Sequence, residues 1–114
     1  MYSYANLLFA IKFEASELPE NQSDQLYQLA HGQPHPNRDI FVNYVYDEEE
    51  EDQYYFICYS NLVFTTAQPP FYKEIDPQIL SGDTPEAARV LEQVRQELQL
   101  PLKTPAWHLF DDHT

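Results

Sequence analysis

A chain of 114 residues with 43% hydrophobic side chains holds enough apolar material for one ordinary core, so residues 1–114 read as a single domain. Nineteen acidic against six basic side chains leave a net charge of −13. That balance excludes direct nucleic-acid binding and attachment to an anionic membrane, because phosphate contacts need clustered cations, and Lys12, Arg38, Lys73, Arg89, Arg95 and Lys103 are scattered singly.

From Leu7 to Phe13 the odd positions Leu7, Phe9, Ile11 and Phe13 are all apolar, a period of two that predicts a strand. Leu8 and Ala10 make its second face apolar too, which places it inside a sheet rather than at an edge. Pro19 to His31 then carries Leu26, Leu29 and Ala30 at helical spacing, with Glu20 and Asp24 early and Gly32 placed to end the helix. Its expected cap is Asn21 or Ser23.

After a proline-bearing turn from Gln33 to Asp39, the run Ile40 to Tyr46 is almost wholly β-branched and aromatic and predicts a second strand. Gln53 to Phe64 predicts a third. The six acids between them, Asp47, Glu48, Glu49, Glu50, Glu51 and Asp52, cannot be buried and must form an exposed hairpin loop.

Thr65 to Asp83 contains Pro69, Pro70 and Pro77 and reads as a long connection, with one turn of helix around Ile79 and Leu80. Thr84 can cap the next helix and Pro85 suits its first position. Ala87, Val90, Leu91, Val94 and Leu98 form one apolar stripe that runs to about Gln99. Pro101 stops the helix. Ala106 to Phe110 predicts a last short strand, and Asp111 to Thr114 a polar tail.

The order strand, helix, strand, strand, helix, strand resembles the split βαβ arrangement of ferredoxin-like domains. It implies an α+β two-layer sandwich: a four-stranded antiparallel sheet with both helices on one face and the first and third strands central. These are also the most apolar strands. The resemblance is one of architecture and names no activity.

The acidic tip reads either as a solvated loop that blocks strand-to-strand aggregation or as a negative finger for a basic groove. Six successive acids lack the alternating ligands and the glycine of an EF-hand loop, so calcium is not expected there. Nine tyrosines are a second unusual feature, with Tyr44, Tyr46, Tyr54, Tyr55 and Tyr59 gathered on the central hairpin. The expectation is that some of them line the sheet face left open by the helices, where tyrosine suits a contact that is apolar at one end and wet at the other.

Other features carry less. Pro69-Pro70-Phe71-Tyr72 has the Pro-Pro-x-Tyr form read by WW domains, yet it falls where a connection needs prolines anyway. Gly32 and Pro34 forbid the helix that would align His31 with His35 for a metal. His108, Asp111, Asp112 and His113 form a terminal group that is not expected to hold a specific ion. Cys58, in the apolar run Tyr54 to Tyr59, reads as a core thiol with no internal partner. No basic leader precedes the first apolar stretch, and Ser60 and Asn61 interrupt the longest one, so a reducing cytoplasm is the expected compartment.

Nucleophile elbow, phosphate-loop and dinucleotide motifs are all missing. The ranking that follows places first a small acidic binding protein without catalysis, metal or cofactor. Such a protein would be an inhibitor, an immunity protein or a phage-encoded antagonist on a basic surface of a toxin or nucleic-acid-handling protein. Its contact residues would be Asp47 to Asp52 with Tyr44, Tyr46, Tyr54 and Tyr55. The alternative is a homodimer that pairs its open, tyrosine-rich sheet faces into an α+β barrel, with a ligand site or a modest enzymatic site using His108 inside it.

Overall fold

The computed structural model describes residues 3–67 and 84–113. The helical turn expected around Ile79 and Leu80, the bulk of the long connection and the Pro-Pro-x-Tyr segment lie outside the described residues. Four strands, β1 (Ser3–Glu14), β2 (Ile40–Asp47), β3 (Asp52–Ala67) and β4 (Ala106–His113), form one sheet in the order β2-β3-β1-β4. All three pairings are antiparallel. Two α-helices are described, α1 (Glu20–His31) and α2 (Thr84–Glu97), and with the sheet they make an α+β fold. Among the described residues no helix is long and apolar enough to cross a membrane.

The two strands with apolar side chains on both faces, β1 and β3, are neighbours in the middle of the sheet. Alternation divides their side chains between two layers. Phe9, Ile11 and Phe13 of β1, Ile40 and Val42 of β2, and Tyr55, Ile57 and Tyr59 of β3 form one buried cluster with Leu26 of α1 and Ala87, Leu91 and Val94 of α2. Both helices therefore cover the same face. Leu8, Ala10, Phe56 and Cys58 form a smaller buried cluster on the other face. Burial there pushes the Cys58 thiol up to about 12, which leaves it a protonated core group rather than a nucleophile.

Three strand ends differ from the hydrophobic pattern. β1 begins at Ser3 rather than Leu7, β3 continues to Ala67 rather than Phe64, and β4 runs through Asp111 and Asp112 to His113 instead of ending in a polar tail. These extensions pair with one another: Tyr4 lies opposite Ala67 on one side and Asp112 on the other. Ladder hydrogen bonds belong to the backbone, so a strand can outrun its apolar side chains.

The break at Ser60 and Asn61 has a structural counterpart. Leu8 pairs with Val63 but Ala10 pairs with Cys58, so opposite Phe9 alone β3 inserts Tyr59, Ser60, Asn61 and Leu62. The Ser60 amide donates to the Asp39 carbonyl at 2.7 Å, tying this irregularity to the start of β2.

The helix ends also depart in detail. Neither Asn21 nor Ser23 caps α1. Pro19 holds the cap position without a side-chain bond, and its carbonyl accepts from the amides of Gln22 and Ser23, both at 3.0 Å. α2 begins at Thr84 and ends at Glu97, two residues before Gln99. Gln99 adopts φ 58°, and the Leu100 amide donates back to the Arg95 carbonyl at 3.0 Å, which satisfies a helix-end acceptor. The Arg95 guanidinium reinforces this end by donating to the Leu100 carbonyl and to both carboxylate oxygens of Glu92.

Candidate functional site

The acidic segment forms a hairpin loop. Asp47 and Asp52 close the ladder opposite each other, leaving the four glutamates Glu48, Glu49, Glu50 and Glu51 in the turn, all exposed. Asp47 builds it: its Oδ1 accepts from the amide of Glu49 at 3.0 Å and from that of Glu50 at 3.3 Å. A short side-chain acceptor at this position replaces the backbone partners the turn lacks.

Two features of this turn oppose stability. Asp47 and Asp52 are like charges directly across the ladder. Glu51 sits at φ 56°, in the left-handed region where glycine or asparagine is favoured. Glu51→Gly is therefore expected to raise stability by up to about 1 kcal/mol, read by urea denaturation. A loss instead would show that the Glu51 side chain itself holds the turn.

Among the described residues no Lys or Arg forms an ion pair with Asp47 to Asp52. The pairs that do form are Arg89 with Glu86, Arg95 with Glu92, and Lys103 with Glu17. Nor do any three His, Cys, Asp or Glu side chains of the described residues converge as a metal site.

The tyrosines do not gather on the face away from the helices. Tyr44 and Tyr46 share the parity of Ile40 and Val42, and Tyr55 and Tyr59 that of Ile57, so all four belong to the helix side. Tyr55 is 2% exposed and is core. Tyr44 is half-buried over it, and burial followed by the neighbouring phenols of Tyr55, Tyr27 and Tyr46 pushes its hydroxyl up. Tyr54 alone of the hairpin tyrosines lies on the sheet face away from the described helices. Its hydroxyl donates to Asp52 at 3.4 Å, and its ring carries the Lys12 ammonium 4.4 Å from the centroid.

Two residues that sequence reasoning missed complete the helix-side group. The rings of Tyr27 and His31 of α1 lie 4.3 Å apart, tilted by 35°, and His31 meets Tyr44 at 5.3 Å. Their spacing of four residues on a helix was a legible sign that they share a face. Their meeting with β2 was not, because it depends on how α1 packs.

On the sheet face away from the described helices Phe56 meets His108 at 5.2 Å and Phe110 at 4.6 Å, both edge-on. Burial, then the charge of Lys12, holds His108 below its usual value of 6.5. Between the lowered folded value and 6.5 the unfolded chain binds the proton more readily, so this contribution to stability is complete above 6.5 and declines as pH falls below it. Denaturation of the wild type and of His108→Gln at neutral and mildly acid pH is expected to show a smaller loss for the variant. Equal losses would mean that His108 takes up its proton as easily folded as unfolded.

His35 stands apart from these groups. It lines a groove of about 360 Å³ between the loop after α1 and α2, where its Nδ1 accepts from the Asn37 amide at 3.0 Å and its Nε2 lies 3.7 Å from Glu97. No nucleophile adjoins it among the residues that line this groove, which are otherwise Pro36, Val90, Gln93 and Val94. Comparison with protein-family models, with curated proteins and with solved structures found no match to this chain.

Proposed function

We propose that this chain is a small acidic binding protein of ferredoxin-like architecture that inserts its hairpin tip into a basic surface of another protein. The partner class is a toxin or a nucleic-acid-handling protein, and the role is that of an inhibitor, immunity protein or antagonist. One observation carries the reading: four consecutive exposed glutamates sit at the end of a hairpin, in a turn that places Glu51 at φ 56° and is closed by the like-charged pair Asp47 and Asp52. Charge kept at a local cost to stability points to a use outside the folding of the chain.

Surfaces that hold phosphate are rich in Lys and Arg, and a carboxylate finger competes for the same groups. The central, neighbouring positions of β1 and β3 support the ferredoxin-like architecture. The rival reading, a homodimer that encloses a ligand or catalytic site between open faces, has weaker support. That face carries one hairpin tyrosine, and its apolar centre is already buried in a single chain.

The test is capture from a lysate on the immobilised wild-type chain beside a tip variant with Glu48, Glu49, Glu50 and Glu51 changed to Gln. A basic protein retained by the wild type and lost from the variant supports the reading. Equal retention by both sinks it.

A further inference from the structure

Beside the acidic tip, on the helix side of the sheet, aromatic rings from two elements form a shelf. The rings of Tyr27 and His31 of α1 lie 4.3 Å apart, tilted by 35°, and Tyr44 of β2 meets them edge-on at 6.2 and 5.3 Å. Tyr46, two residues along the same face of β2, extends the shelf to Asp47, where the tip begins. Tyr27 and Tyr46 are each 48% exposed, while the core beneath is already closed by Tyr55. About half the surface of each of these two residues is left available to a ligand, and neither belongs to the buried cluster.

Exposed aromatic rings serve two common ligands: stacked bases and cations. Bases bring phosphates, which a net charge of −13 opposes. A cation meets the electron-rich ring faces and the carboxylates of the adjoining hairpin together.

We infer that the Tyr27, His31, Tyr44 and Tyr46 shelf receives an arginine side chain of the basic partner. A planar guanidinium can lie flat on a ring while its N–H groups, directed outward in the same plane, donate to carboxylates. The lysine ammonium is more strongly hydrated and has no flat face, so it gains less from the shelf. The inference rests on the proposed acidic-tip function and narrows the partner's contact to arginine.

The test uses the whole chain at low ionic strength with three short homopeptides of equal length, made of arginine, lysine or citrulline. Aromatic-ring NMR follows the site and calorimetry the affinity. The arginine peptide is expected to shift the ring resonances of Tyr27 and Tyr46 and to bind more tightly than the lysine peptide. Citrulline, which has a similar shape but no charge, is expected not to bind.

The double variant Tyr27→Leu and Tyr46→Leu keeps apolar area but removes the rings. It is expected to lose roughly tenfold in affinity for the arginine peptide and to bring arginine and lysine close to parity. The ring shifts are read on the wild type and need no variant to fold. Equal binding of arginine and lysine with unmoved Tyr27 and Tyr46 rings overturns the inference. If binding is then still lost in the glutamine tip variant, the acidic-tip function survives it. If neither cationic peptide binds and the tip variant captures the same proteins as the wild type, both fall.

Discussion

Changing Glu48, Glu49, Glu50 and Glu51 together to Gln is expected to slow association with the partner about tenfold or more at low ionic strength. The substitution keeps side-chain size and the Asp47 turn bonds, and removes four of the nineteen acidic charges. Those charges sit on exposed residues at the far end of a hairpin, where their field reaches a partner before contact. Added salt screens that field, so the wild-type rate should fall toward the variant's as ionic strength rises.

Stability should hardly change, because solvated surface charges contribute little, and relief of their mutual repulsion acts in the favourable direction. Stopped-flow association across a salt series checks both parts. A wild-type rate that ignores salt, or a variant as fast as the wild type, would return the tip to the role of a solvated loop.

Leu91→Ala is expected to destabilise the fold by about 2–4 kcal/mol, the range for a large side chain removed from a core that cannot fully close around the gap. Leu91 is 0% exposed and lies in the cluster that joins α2 to the β1 and β3 face of the sheet. Against a typical total of about 5–15 kcal/mol, this single change removes a large share of the stability. The matching control is Leu102→Ala. Leu102 is 78% exposed, and the same truncation there should cost less than about 0.5 kcal/mol. Urea denaturation of the two variants against the wild type measures both, and comparable costs would mean that α2 does not carry the core.

The two central strands could be recognised because they lie between other strands with side chains packed on both faces, so Leu8 and Ala10 are apolar as well as the odd positions from Leu7 to Phe13. The stripe of α2 could be read for a similar reason: burial of Ala87, Leu91 and Val94 imposes a helical period on the sequence. The tip was legible from charge alone, since six adjacent acids have no place except in water.

The strand extensions at Ser3, Ala67 and His113 were not, because their pairing is made by backbone groups that every residue type carries. The α1 cap was hidden for another reason: the Pro19 carbonyl takes up the Gln22 amide, one of those a side-chain cap would have held.

The candidate site divides in the same way. By itself the sequence determined which residues are acidic, which are aromatic and, through alternation, which tyrosines share a face. It could not decide which face the helices would cover. Counting tyrosines suggested an open aromatic face, whereas packing put Tyr55 and Tyr59 in the core and left Tyr54 alone on the far side. Nor could it bring Tyr27 and His31 to Tyr44. Local periodicity encodes how each element divides its own side chains between core and solvent. The meeting of α1 with β2, like the choice of sheet face, depends on contacts between residues distant in sequence, and only the tertiary structure decided it.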